Sequence, residues 1–266
     1  LDILLQPAAP LADADSALAE LASAVGPLEG EALLDRVRQW TSERRFQLGV
    51  QSLDGRIPPR QAAAEMARMA EATVALLSDH VRRAFRAKFG EIPGGRLVPL
   101  ALGRFGGGEL TVQSDLDLIL LFTGSFEARS TATPSLSASA WFNRLGQRLI
   151  AALTVPTAAG ALYAIDSRLR PSGADGLLSV SLDSFERYQK ESATLLEQMA
   201  ITRARPIACA AEDRAAAQAM IDRIVATPRD PAPLLREAAE LRRHMARHKP
   251  AAGPFDVKLM RGGLVD

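Results

Sequence analysis

The sequence predicts an α+β fold, a small mixed sheet flanked by helical segments. Three observations carry that expectation. Two long runs before residue 90 place apolar residues at helical spacing, short glycine-bounded apolar runs follow Gly94-Gly95, and helical composition returns from Ala211. With 266 residues, 47% hydrophobic and 24% charged, the chain can bury a sizeable core and is not disordered. Thirty-two Lys and Arg against thirty-one Asp and Glu leave a net charge of +1, which argues against a dedicated nucleic-acid binder. The single cysteine, Cys209, cannot form an internal disulfide. No apolar stretch reaches the ~20 residues of a membrane span. The start, Leu1-Asp2-Ile3-Leu4-Leu5, lacks the basic opening of a signal peptide. The expectation is a cytoplasmic protein of bacterial type, with neither nucleic acid nor membrane as partner.

Three parts are expected: a helical segment over 1–93, a core over 94–208 and a second helical segment over 209–266. A start at Leu1 rather than Met, and a stop inside the pattern Gly262-Gly263-Leu264-Val265-Asp266, read as a piece of something longer. The first thirty residues hold no Lys or Arg and suit one short helix after a Pro-containing lead-in. Leu33, Leu34, Val37 and Trp40 mark a helix over about 31–49. After Asp54-Gly55 and Pro58-Pro59, a longer helix carries the stripe Met66, Ala70, Val74, Leu77, Val81 and Phe85, the spacing that packing against other helices requires. Residues 96–102 and 115–122 suit buried strands, 125–138 a polar loop, 138–153 a helix and 161–166 a third strand. A turn at Pro171–Gly176 leads into Leu177-Leu178-Ser179-Val180, then helices to about Arg205. From Ala211 to His248 the chain reads as helical, with a break near Pro231–Pro233.

The chemistry gathers in the middle part. Asp115 and Asp117 are two apart, so on a strand they project from one face of an otherwise apolar segment. Like charges there call for a cation, and a divalent metal ion is the economical one, because Mg²⁺ is commonly held by one or two carboxylates plus substrate phosphates. The plainer reading makes them turn caps assisted by Ser114. Upstream of Asp115, Gly103-Arg104-Phe105-Gly106-Gly107-Gly108-Glu109 supplies a glycine turn that lets backbone approach a phosphate. It matches neither a P-loop nor a dinucleotide fingerprint. Asp166 ends the expected third strand, and three carboxylates on adjacent strands suit two metal ions ~4 Å apart and in-line phosphoryl displacement. In an alternating segment Arg168 and Arg170 share the face of Asp166, which suits a triphosphate clamp; Arg203 and Arg205 read more simply as neutralising the aspartates. His244 and His248 have zinc-like spacing, but Arg242, Arg243, Arg247 and Lys249 make a solvated basic face the better reading. Cys209 reads as an inert packed thiol.

These residues resemble a known family. Residues 102–110 (Leu-Gly-Arg-Phe-Gly-Gly-Gly-Glu-Leu) with Ser114-Asp115-Leu116-Asp117-Leu118 are similar to the signature of bacterial glutamine synthetase adenylyltransferase. Residues 163–173, from Tyr163 through Asp166, Arg168 and Arg170 to Gly173, resemble its second block, and Phe255-Asp256-Val257-Lys258 with 262–266 its third. The resemblance runs from about residue 31 to the end. It implies a DNA polymerase β-like nucleotidyltransferase core and one of two fused halves, the first removing AMP from glutamine synthetase by phosphorolysis and the second adding it. Arg170-Pro171-Ser172-Gly173, Tyr188-Gln189 and Phe255–Lys258 resemble the second, adenylylating half.

The resemblance further implies two Mg²⁺ ions held by Asp115, Asp117 and Asp166, and ATP as substrate, with Gly106, Gly107, Ser114, Arg168 and Arg170 on the nucleotide. Asp166 would also draw the proton from the incoming tyrosine hydroxyl. Glutamine synthetase and the PII signal protein are the implied partners, and glutamine the effector. Departures from the family pattern are Arg104 in place of Lys, Ala101 in place of Gly, and Thr194-Leu195-Leu196-Glu197-Gln198 in place of Trp-Thr-Trp-Glu-His. The other readings are the phosphorolytic half, a nucleotidyltransferase with a different acceptor, and a degenerate domain that only binds nucleotide or a regulator.

Overall fold

In the computed structural model, the described residues are 10–253, 255–260 and 262. The lead-in at Leu1–Leu5 and the end of the third block, Gly263-Leu264-Val265-Asp266, lie outside them. Helix α1 (Ala14–Val25) opens on a capping box: the Asp13 carboxylate accepts from Ser16 N at 2.7 Å, and the Ser16 hydroxyl accepts from Asp13 N at 3.1 Å. Helix α2 (Gly30–Leu53) and helix α3 (Pro59–Phe89) follow, the latter begun by Pro58-Pro59 and ended at Gly90. All six residues of the expected α3 stripe are buried: Met66, Ala70, Val74 and Leu77 join the core shared with α1 and α2, whereas Val81 and Phe85 pack with Phe122, Trp141 and Phe142. Buried Arg38 of α2 is a bolt that periodicity does not reveal. Its guanidinium donates to the carbonyls of Leu34 and Ala152 at 3.0 Å, Val155 at 2.6 Å and Gly160 at 3.0 Å. Burial pushes its proton affinity down.

The sheet is small and mixed. Strand β1 (Leu97–Ala101) pairs antiparallel with β2 (Leu116–Phe122), Leu100 opposite Ile119. β2 pairs in parallel with β3 (Ile165–Asp166) near its start and with β4 (Ser179–Ser181) near its end. β5 (Arg205–Pro206) adds antiparallel to β1. Leu118–Phe122 are each at most 1% exposed, because the sheet is covered on both faces and its central strands need apolar residues at successive positions. Leu116, Leu118 and Leu120 join the core of α1–α3, whereas Ile119 and Leu121 join Phe185, Ile201, Met220 and Ile221 on the other side. Each such side chain stabilises the fold by about 1.5–3 kcal/mol, so a charge at Leu120 would split the larger core.

Helix α4 (Gly103–Gly106) is a single turn after β1, and α5 (Ala138–Thr154) follows the polar loop. α6 (Leu182–Glu191) and α7 (Leu195–Ile201) precede β5; α8 (Ala211–Val225) and α9 (Pro231–His248) come last. Two expectations need correction. The third strand is two residues long rather than 161–166, since Tyr163 N turns back to the Leu153 carbonyl at 3.1 Å and only Ala164 onward meets β2. Arg205-Pro206 forms an edge strand unseen in the sequence, short and proline-bearing as edges tolerate. The expected break near Pro231–Pro233 falls at residues 226–230, and Pro231 and Pro233 begin α9, with Asp230 as its cap accepting from Ala232 N at 3.0 Å. Among the described residues, no helix is long and apolar enough to cross a membrane.

Candidate active site

β1 delivers the chain into the glycine turn, and β2 returns from it carrying the carboxylates. Leu102 N donates to the Asp117 carbonyl at 2.9 Å, which fixes the turn beside β2. Gly103 has φ +54°, and a Cβ there would strike the Oδ2 of Asp117. Buried Gly106 is pressed between the carbonyls of Arg203 and Ala101, so the glycine is required by backbone packing. The amides of Gly106, Gly107 and Gly108 donate to Leu102, Gly103 and Phe105 at 2.7, 3.1 and 3.1 Å. The turn is therefore a closed helical one, and the open cradle of phosphate-directed amides that its glycines suggest is not formed by these three. Gly107 alone is exposed and unhindered, its built Cβ meeting nothing nearer than 3.5 Å.

The Ser114 hydroxyl accepts from Thr111 N at 3.0 Å and lies 2.8 Å from the Thr111 hydroxyl, which holds the turn before exposed Asp115. Asp117 is half-buried and stands opposite Asp166 across β2 and β3. Burial, then the charges of Asp166 and Asp115, push the Asp117 carboxyl above its ordinary range. Asp166 is pulled the other way by Arg168, whose Nε lies 3.0 Å from both carboxylate oxygens and whose Nη2 is 2.5 Å from Oδ2. The Arg168 amide adds a bond to Oδ1 at 2.9 Å. Among the described residues, no three His, Cys, Asp or Glu side chains are gathered closely enough to hold a metal ion. The donor set nonetheless suits a hard divalent cation: all-oxygen ligands on adjacent strands, one of them burdened with like charge.

The arginines divide. Arg168 and Arg170 sit in a turn rather than in an alternating strand, so the expected shared face is not formed. Arg170 is committed to that turn, with Nη1 to the Ser167 carbonyl and hydroxyl at 2.9 and 2.8 Å and Nη2 to the Ala174 carbonyl at 2.9 Å. Arg205 is a strut: Nη1 meets buried Glu71 of α3 at 2.7 Å, and Nε reaches the Gly106 carbonyl at 3.4 Å. It neutralises Glu71, not the aspartate cluster. An acid on the apolar face of α3 was the one sequence signal for that pairing. Lys249, just past α9, adds positive charge toward Asp166 and was missed because it was read with the solvated basic face.

The segment Thr194–Gln198 is engaged locally. Thr194 and Glu197 form the capping box of α7, the Tyr188 hydroxyl donates to Glu197 at 2.8 Å, and Arg229 donates to Gln198 at 2.9 Å. His244 and His248 are exposed with stacked rings 4.0 Å apart. Burial pushes the half-buried Cys209 thiol up, away from the reactive thiolate.

Fold and site together define a mixed α+β domain in which strand-borne carboxylates face a glycine turn. Comparison with known proteins makes the class specific. The family model described as Glutamate-ammonia ligase adenylyltransferase matches residues 1–220, and the chain belongs to that family. It is 39% identical over 237 residues to the bifunctional glutamine synthetase adenylyltransferase/adenylyl-removing enzyme of Mesorhizobium japonicum, covering 89% of this chain and 24% of that protein. The protein of the same name from Bradyrhizobium sp. (strain BTAi1) is 41% identical with the same coverage. That of Rhodopseudomonas palustris (strain BisB5) is 38% identical over 96% of this chain and 26% of its own length. The chain thus spans about a quarter of the length of these relatives.

Proposed function

We propose that this chain carries a nucleotidyltransferase site of the DNA polymerase β-like kind, which moves AMP from ATP to a tyrosine of glutamine synthetase in the cytoplasm. The observation that supports it most is the meeting of Asp117 with Asp166 across β2 and β3 behind a turn whose Gly103 lies against Asp117 Oδ2. Asp115, Asp117 and Asp166 would hold Mg²⁺, two ions in the full reading, whose charge offsets that of the triphosphate. The tyrosine oxygen attacks the α-phosphorus, the bond from that phosphorus to the β-phosphate bridging oxygen breaks, and pyrophosphate leaves while the phenolic proton passes to solvent. Asp166 is assigned to cation holding, with the Arg168 guanidinium as its partner in this structure. Exposed Gly107 gives the nucleotide room to approach, Arg168 would reach its phosphates only on releasing Asp166, and Ser114 and Arg170 serve by shaping the flanking turns.

The adenylylating direction rests on Arg170–Gly173, Tyr188-Gln189 and Phe255–Lys258, and with it come the PII signal protein as partner and glutamine as effector. A second reading, a non-catalytic nucleotide- or regulator-binding domain, is favoured by the lack of a gathered three-ligand group among the described residues. Incubation with α-labelled ATP, Mg²⁺ and unmodified glutamine synthetase tests the proposal. Stable label on the synthetase supports adenylylation. Release of ADP from modified synthetase with inorganic phosphate, without any labelling, would replace it with the phosphorolytic half, and neither activity would favour the binding domain.

A further inference from the structure

Arg168 makes a contact that a phosphate-binding arginine has no need of. Its guanidinium grips both oxygens of Asp166, its own amide donates to Oδ1, and its side chain is 80% exposed. Asp166 is the strand partner of Asp117, and the negative charges of Asp117 and Asp115 also fall on Arg168. A guanidinium so placed does for the cluster what a metal ion would do. It offsets the repulsion of three carboxylates and engages both oxygens of one of them.

We infer that Arg168 is a resident placeholder for the divalent cation: it holds Asp166 until metal arrives, and metal must displace it to complete the site. The inference rests on the proposed reading of the three aspartates as the cation site, and it assigns Arg168 a positioning role that precedes any contact with substrate. Displacement is feasible because the contact is solvent-exposed on the arginine side, where ion pairs contribute only modestly and salt weakens them.

The test is direct binding of Mn²⁺, as a stand-in for Mg²⁺, to the purified chain without nucleotide, followed by the electron paramagnetic resonance of the free ion. Arg168→Ala should bind Mn²⁺ about 2- to 5-fold more tightly than the wild type, the factor expected from releasing an exposed ion pair. Arg168→Lys, which keeps the charge without the fork, should fall between the two. The advantage of Arg168→Ala should shrink as NaCl is raised, because the competing pair is screened in the wild type. Lys249→Ala serves as a charge-only control, since Lys249 adds a positive field at Asp166. Equal tightening by Lys249→Ala and Arg168→Ala would overturn the placeholder in favour of general electrostatics. Unchanged or weaker Mn²⁺ binding by Arg168→Ala would overturn it too, weaker binding meaning that the arginine merely orders the loop. Asp117→Asn separates this inference from the reading beneath it: undiminished Mn²⁺ binding by that variant would remove the cation site itself.

Discussion

Alanine in place of Gly106 and of Gly107 should separate a glycine kept for packing from one kept for a ligand. At Gly106 the added Cβ would lie 2.7 Å from the Ala101 carbonyl oxygen and closer still to that of Arg203. Ordinary carbon–oxygen contacts are about 3.3 Å or more. Both obstacles are backbone, one at the end of β1 and the other in the segment leading to β5, so β1 and residue 203 would have to part. Overpacking of this kind costs about 1–3 kcal/mol, and with two opposed carbonyls the upper end is expected. At roughly 2–4 °C per kcal/mol, Gly106→Ala should lower the melting temperature by roughly 6–12 °C. Gly107 is exposed at φ −72°, its built Cβ no nearer than 3.5 Å to any atom. Gly107→Ala therefore restricts the unfolded chain without strain and should stabilise by about 0.4–1 kcal/mol. Differential scanning calorimetry reads both changes, and titration with the MgATP analogue AMPCPP reads nucleotide affinity. A stable Gly107→Ala variant with weakened AMPCPP binding is the expected outcome. Equal destabilisation by the two substitutions would refute the reasoning, since it would mean that the turn does not distinguish them.

Further outcomes follow from the charged residues. Asp117→Asn should lower transferase activity to less than about a tenth while raising the melting temperature of the metal-free chain, because it removes a half-buried charge disfavoured by Asp166 and Asp115; a fall in both would mean that the side chain is structural. Arg38→Met should cost roughly 3 kcal/mol in urea denaturation, as it strips the donors that serve four carbonyls, and a loss under about 1 kcal/mol would contradict the bolt. Glu186 is held down to about 2 by hydrogen bonds from Arg223 and Lys190. A depressed carboxyl stabilises the fold above its unfolded value of 4.5, and that contribution is lost as pH falls from there toward about 2. Glu186→Gln should therefore flatten the acid limb of stability, and an unchanged limb would dismiss the pairing.

What the sequence made legible follows from where its signals are local. The α3 stripe and the β1–β2 pair could be read because one-sided and two-sided burial leave different periodicities in the residues themselves; β2 begins at Leu116, one residue after Asp115. The third strand was overextended because Leu162 and Tyr163 are buried apolar residues, as in a strand, while their backbone turns back on α5. Periodicity reports side-chain burial and is blind to backbone pairing. Arg170 was placed on the phosphates and is instead spent on four groups of its own loop, since a guanidinium finds carbonyls as readily as anions. Glu71 and Arg205 were illegible as a pair at 134 residues' separation; each alone reads as a misplaced charge.

That strut bears on why the helical layer belongs to the site. Arg205 touches α3 through Glu71 and the glycine turn through the Gly106 carbonyl, so one guanidinium links the two. Leu110, just past the same turn, donates its amide to the Ala63 carbonyl of α3 at 3.0 Å, a second tether. Phe105 of the same turn is fully buried in the core that α1–α3 share with β2. Gly103, and through it the carboxylate of Asp117, is thus positioned by a helix whose own sequence carries no catalytic residue. A shift of α3 would be felt at Asp117 because the closed turn leaves no slack: its three glycine amides are already bonded within it, and Gly106 is wedged against two carbonyls. The helices before residue 90 are therefore part of what sets the carboxylate geometry.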